Sequence, residues 1–163
     1  MVQFLKRRYK NIKLIFIAHD TEASIVSQKE FFTISGGGGT MCSSAFQLAY
    51  EHIKDNHPTD MWNNYIFEFS DGDNWPEDNR RCVDLARDLL PLCTAIGYGE
   101  ILSPDSLSWM NDGDDRLLSN FFKRNIQRTR FVSMQLNSRD DVFDALRMFF
   151  NIDGISKNKK TAE

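Results

Sequence analysis

Tyr65-Ile-Phe-Glu-Phe69, followed at once by Ser70-Asp-Gly-Asp-Asn74, is the stretch from which the fold is read. Strand-forming residues end abruptly in an acidic loop that contains a glycine. Pro76 then opens an amphipathic segment with Cys82, Leu85, Ala86, Leu89 and Leu90 at helical spacing, and proline is well tolerated at such a start. The same order recurs on both sides. Upstream, Lys13-Leu-Ile-Phe-Ile-Ala18 is a nearly unbroken apolar run, which suits a strand covered on both faces of a parallel sheet. It stops at His19-Asp20-Thr21-Glu22. Residues 23–27 read as an edge strand. A helix is expected from about Ser43 to Asp55, with Cys42, Phe46, Ala49 and Ile53 in phase, ending before Pro58.

Downstream, Ala95–Leu102 reads as a strand in which Gly97 and Gly99 suggest a close backbone approach. Leu117, Leu118, Phe121 and Phe122 mark a helix, and Arg130–Leu136 a further strand. Ser138-Arg-Asp-Asp141 resembles a capping box ahead of a last helix. Residues 2–9 read as a helix end and 103–114 as an irregular loop. Alternating strands and helices imply an α/β fold, a mostly parallel sheet with helices on both faces. Residues 1–150 form one domain, and the polar, lysine-rich stretch 151–163 is expected to be a flexible tail.

Composition narrows the function classes. A net charge of -3 and a pI near 5.6 supply no basic field, which argues against nucleic acid as a general partner. The apolar runs fall short of the ~18 residues a membrane span requires. The first residues do not have the order of a signal peptide, so the cytoplasm is the expected compartment. Cys42, Cys82 and Cys93 lack metal-ligand spacing and read as buried, reduced thiols.

Ligands of parallel sheets bind outside the carboxyl ends of the strands. That rule gathers His19-Asp20, Gly36-Gly-Gly-Gly39-Thr40 and Ser70-Asp-Gly-Asp73 at one edge. Hard cations such as Mg²⁺ take oxygen ligands and retain several waters, so a threonine hydroxyl and an aspartate on separate loops suit one. Asp-Gly at a strand end is more often a plain turn. The glycine loop lacks the lysine that a P-loop places before its Ser/Thr, although a glycine-rich helix start could still accept an anion. Cys42 falls in the packing phase of its helix. His52 and His57 are expected to be exposed near the end of that helix, and His19 is read as a structural or supporting residue at the ligand edge. Trp62 and Trp75 are expected to pack, with Trp75 beside Asp73 also able to line a partner surface.

Several motifs, in order, are similar to those of one family. Phe16-Ile-Ala-His-Asp-Thr-Glu-Ala23, Glu30-Phe-Phe32, Ser35-Gly-Gly-Gly-Gly-Thr-Met-Cys-Ser-Ser-Ala45 and Phe69-Ser-Asp-Gly-Asp-Asn-Trp75 resemble the YeaH/YhbH family. Leu89-Leu-Pro91 and Gly97-Tyr-Gly-Glu-Ile101 continue the resemblance, which covers most of residues 5–150. It implies a bacterial sporulation- or stress-associated protein with a von Willebrand factor A-like domain. The implied role is a non-catalytic, protein-binding adaptor acting with a PrkA-type serine kinase and a SpoVR-like protein. Domains of that kind hold a divalent cation at a metal-ion-dependent adhesion site. An Asp-x-Ser-x-Ser loop, a threonine and an aspartate build it, and an acidic partner residue completes it.

Carried over, Thr40 is the threonine and Asp71 the aspartate; Gly38, Gly39, Asp73 and Trp75 are the expected partner-binding residues. The chain begins beyond the place of the Asp-x-Ser-x-Ser motif. The first central strand is therefore expected to be missing, the Mg²⁺ site incomplete and its affinity weak or absent. Self-association through an exposed sheet edge is a further expectation. The competing reading is an Mg²⁺-dependent hydrolase using Asp71 and Asp73, although neither loop carries a lysine or arginine to clamp a substrate phosphate.

Overall fold

The computed structural model describes residues 9–34, 39–102, 117–138 and 140–151. The expected helix end at 2–8, the residue Gly38, the loop 103–114 and the tail from 152 lie outside them. Among the described residues, five strands and five helices follow in order: β1 (Phe16–His19), β2 (Ala23–Val26), α1 (Gln28–Phe31), α2 (Cys42–Asn56), β3 (Tyr65–Ser70), α3 (Asn79–Leu89), β4 (Ala95–Ile101), α4 (Leu118–Asn125), β5 (Phe131–Leu136) and α5 (Asp141–Asn151). Short 3₁₀ turns at Pro76–Asp78 and Leu90–Leu92 flank α3.

Strands β3, β4 and β5 form a parallel sheet in that order, with Tyr65 opposite Ala95 and Ile96 opposite Phe131. Crossover helices α3 and α4 join them, as parallel pairing demands. Period-2 alternation then divides the strand residues between two faces. One face carries Ile66, Ile96, Tyr98 and Phe131, packed with Cys42 and Phe46 of α2, Val83 and Leu89 of α3 and Phe122 of α4. The other carries Phe67, Val132 and Met134, covered by Ala145 and Phe149 of α5. Helices on both faces of a parallel sheet were expected, and this sheet has them.

Gly97 shows why β4 tolerates glycine. A Cβ there would sit 2.7 Å from Cδ1 of Phe149, and one on Gly99 would meet Phe69 at 2.7 Å. The rings of α5 and β3 lie directly on the β4 backbone. Phe149 is fully buried, worth about 1.5–3 kcal/mol of apolar transfer. Helix α5 starts as the sequence implied, with Ser138 N–H donating to Asp141 and Asp141 N–H returning to the Ser138 hydroxyl.

The first apolar run differs from expectation. Only its end, Phe16–His19, is strand, and it pairs antiparallel with β2 in a separate two-stranded sheet, Phe16 opposite Val26 and His19 opposite Ala23. Three residues join the two strands, and a connection that short permits only antiparallel pairing. Leu14 and Ile15, read as core, are exposed. Side chains bring the hairpin and the segment ahead of it against the parallel sheet: the Tyr9 and Tyr65 hydroxyls are 2.6 Å apart, and His19 Nε2 lies 3.6 Å from Glu68 Oε1. His57 also departs from expectation. It is buried between His52, tilted by 41°, and Trp62, met edge-on, at centroid distances of 5.0 and 4.9 Å.

Candidate functional site

The three loops that the sequence reading assigned to one edge do converge there. At the end of β1, the Glu22 N–H and Thr21 hydroxyl both turn back to the Asp20 carboxylate. Donation from Glu22 leads the causes that hold this exposed carboxyl below its usual range. The Asp20 carbonyl accepts the Met41 N–H at 2.8 Å, fastening the hairpin to the loop ahead of α2. Thr40 forms a parallel bridge with Asn74, and its carbonyl accepts the Trp75 N–H at 3.3 Å.

Helix α2 supplies no cap of its own, because Met41 occupies its N-cap position. The next crossover caps it instead. Asn74 Oδ1 accepts the Cys42 N–H at 2.9 Å and Asp78 Oδ2 accepts the Ser43 N–H at 3.0 Å. Asn74 is 6% exposed and also donates to Asn79 Oδ1 at 2.8 Å. Cys82 Sγ lies 3.2 Å from the same Asp78 oxygen. A carboxylate thus already occupies the electropositive helix start, where an anion would otherwise sit. The anion-cradle reading of the glycine loop is corrected on that ground.

Asp71 and Asp73 are exposed, and Asp71 Oδ1 accepts the Asp73 N–H at 3.2 Å across Gly72. Gly72 has φ +82, the left-handed region that favours glycine. Its backbone passes so close to Glu100 that an added Cβ would lie 2.9 Å from the Glu100 side chain. Glu100 is fully buried and held by the Ser119 hydroxyl, the Ser119 N–H and the Tyr98 hydroxyl. Burial pushes its carboxyl up, partly offset by those donors.

Of the residues expected to meet a partner, Gly39 and Trp75 touch each other. A Cβ on Gly39 would sit 2.8 Å from the Trp75 indole, so the glycine is the floor on which that ring lies. Trp75 remains 48% exposed. The expected metal ligands Thr40 and Asp71 lie on the two loops that the Thr40–Asn74 bridge joins.

The sequence reading missed a buried polar cluster just beneath this edge. Glu68 is 8% exposed, whereas its neighbour Phe69 is 39% exposed. Burial raises the Glu68 carboxyl to about 8. Burial also lowers the His19 imidazole, against the pull of Asp20, Asp71 and Asp78. Both shifts favour neutral forms, so the His19–Glu68 contact is a neutral pair and not a salt bridge. Cys42 Sγ points at Ser70 Oγ, 3.7 Å away, and burial drives its thiol far up. Alternation within β3 carried the signal: Glu68 shares its face with Ile66, which lies in the main core.

Among the described residues, no helix is long and apolar enough to cross a membrane. Fold and loops together define an α/β module whose acidic loops meet at the carboxyl edge of the strands. The chain belongs to the family described as "Protein of unknown function (DUF444)", whose pattern matches residues 1–153. It is similar to a UPF0229 protein of Ruminiclostridium cellulolyticum, 37% identical over 161 residues, covering 99% of this chain and 39% of that protein. A UPF0229 protein of Bacillus cereus (strain B4264) is 39% identical over 150 residues, 92% of this chain and 36% of its own length. The same figures hold for one from Bacillus anthracis (strain A0248). The chain therefore spans under two-fifths of the length of these curated relatives.

Proposed function

We propose that this chain is part of a non-catalytic, von Willebrand factor A-like adaptor that docks a protein partner at residues 39–44 and 70–75. The observation that supports it best is the half-exposed Trp75 indole, braced on Gly39 and flanked by the exposed carboxylates of Asp71 and Asp73. Pre-positioned aromatic rings with polar surroundings are the usual anchors of protein interfaces. Thr40 and Asp71 offer a hydroxyl and a carboxylate to Mg²⁺, which takes six ligands, so water and an acidic partner residue complete the shell. Their affinity without a partner is weak. Following the resemblance to the YeaH/YhbH family, the partners are a PrkA-type serine kinase and a SpoVR-like protein of a cytoplasmic stress or sporulation pathway.

The test is binding of the purified kinase and SpoVR-like protein to the immobilised chain, with Mg²⁺ and then with chelator. Trp75→Ala is expected to weaken binding by roughly 30-fold, the size of an interface hot spot. Asp71→Ala should weaken it as chelator does. Equal binding by parent, both variants and the chelated sample would refute the reading.

A further inference from the structure

Below the docking edge, and sharing no residue with the Thr40–Asp71 pair, lie three groups with the chemistry of a different site. His19 ends β1, Cys42 opens α2 and Glu68 sits within β3. One ligand atom from each lies within 4.8 Å of the other two. Glu68 Oε1 is buried and has no hydrogen-bond partner, and His19 Nε2 is the ring nitrogen that faces it. Orphaning such a group costs about 1–3 kcal/mol. No lysine or arginine is among the groups that shift Glu68; burial, Cys42 and Asp78 are the causes. Among the described residues, this buried carboxyl beside an imidazole and a thiol thus has no lysine or arginine counter-charge.

We propose that His19, Cys42 and Glu68 form a binding site for a divalent ion of the Zn²⁺ class, with three protein ligands and one position left for water or a partner group. One soft thiolate, one imidazole and one carboxylate suit Zn²⁺ or Co²⁺ and discriminate against Mg²⁺ and Ca²⁺, which take oxygen. Bond lengths of about 2.0–2.3 Å place tetrahedral ligand atoms roughly 3.3–3.7 Å apart. The His19–Glu68 separation of 3.6 Å already meets that requirement. Cys42 Sγ needs to close by about 1 Å at most to do the same. Binding displaces the thiol proton and the Glu68 proton to solvent, so affinity rises with pH. The ion would pin the hairpin, the helix start and β3 to one another, adding to the Asp20–Met41 backbone bond that now fastens the hairpin.

The experiment is a Co²⁺ titration of the chelator-stripped chain, followed by Zn²⁺ competition. One equivalent of Co²⁺ should give visible d–d bands and a near-ultraviolet thiolate-to-metal charge-transfer band. Zn²⁺ should abolish both, and excess Mg²⁺ neither. Cys42→Ser should remove the charge-transfer band while Cys93→Ser keeps it. Glu68→Gln, which conserves size, should weaken Co²⁺ binding by roughly tenfold or more. Far-UV circular dichroism accompanies each variant, and if Cys42→Ser fails to fold, Glu68→Gln decides. Absence of the charge-transfer band in the parent overturns the site. So does its persistence in folded Cys42→Ser, or unchanged affinity in Glu68→Gln.

Discussion

Replacing Asn74 with alanine tests whether the loop edge is held by buried amide bonds. Asn74 Oδ1 accepts the Cys42 N–H at 2.9 Å, and Nδ2 donates to Asn79 Oδ1 at 2.8 Å and to the Trp75 carbonyl at 3.3 Å. Truncation leaves the Cys42 N–H and Asn79 Oδ1 without these partners, in a site where both residues are buried. At about 1–3 kcal/mol for each of the two orphaned buried groups, the loss is about 2–6 kcal/mol. A 163-residue chain loses roughly 2–4 °C of Tm per kcal/mol, so a drop of about 4–24 °C follows. Urea unfolding followed by tryptophan fluorescence measures it, with the slope checked for constancy. Arg80→Ala is the reference. Its ion pair to Asp84 is short, 3.1 Å, but both side chains are more than half exposed, and such pairs contribute about 0–1 kcal/mol. An Asn74→Ala chain as stable as Arg80→Ala would refute the reasoning, because the amide would then carry no more than a surface charge does.

Other outcomes are expected. Burial raises Glu68 from 4.5 to about 8, so the folded chain keeps a proton that the unfolded chain releases. Stability should therefore fall as pH rises from about 4.5 to about 8, by up to about 1.4 kcal/mol per unit, and Glu68→Gln should flatten that slope in pH-dependent urea unfolding. Gly97→Ala drives a methyl group into the Phe149 ring and should cost about 1–3 kcal/mol by thermal melting, whereas an unchanged Tm would mean that α5 does not rest on β4. Calorimetric titration with Mg²⁺ should give weak or no heat from the chain alone; tight binding would show that Thr40 and Asp71 have further ligands.

The parallel sheet was legible because each of its strands is a short apolar run ending in polar loop residues, and Leu85, Ala86 and Leu89 keep helical phase between two of them. Pairing of the first strand was not, since the same apolar run serves either sheet type. The three-residue turn at 20–22 decided it. Gly39 and Trp75 were both named for a partner surface, but their mutual contact joins residues 36 apart and leaves no local pattern. Glu68 escaped the sequence reading for a physical reason: alternation in β3 is real, yet both faces are covered, so its polar position is enclosed instead of solvated. His57 lies just past a helix and before a proline, a setting that reads as exposed; its burial comes from Trp62 folding back over it.

The remote capping of α2 bears on the order in which the chain acquires structure. The acceptors for the Cys42 and Ser43 amides lie 32 and 35 residues later, and closing such loops costs on the order of 3 kcal/mol in chain entropy. Until residues 74–78 have left the ribosome, the apolar face of the helix can collapse but its first turn has nothing to hold it. Helix start and acidic loop thus become ordered in one cooperative event. In the mature chain they should also open together, so hydrogen exchange at Cys42 and Ser43 would report on breathing of the 74–78 segment and of the Thr40 hydroxyl beside it.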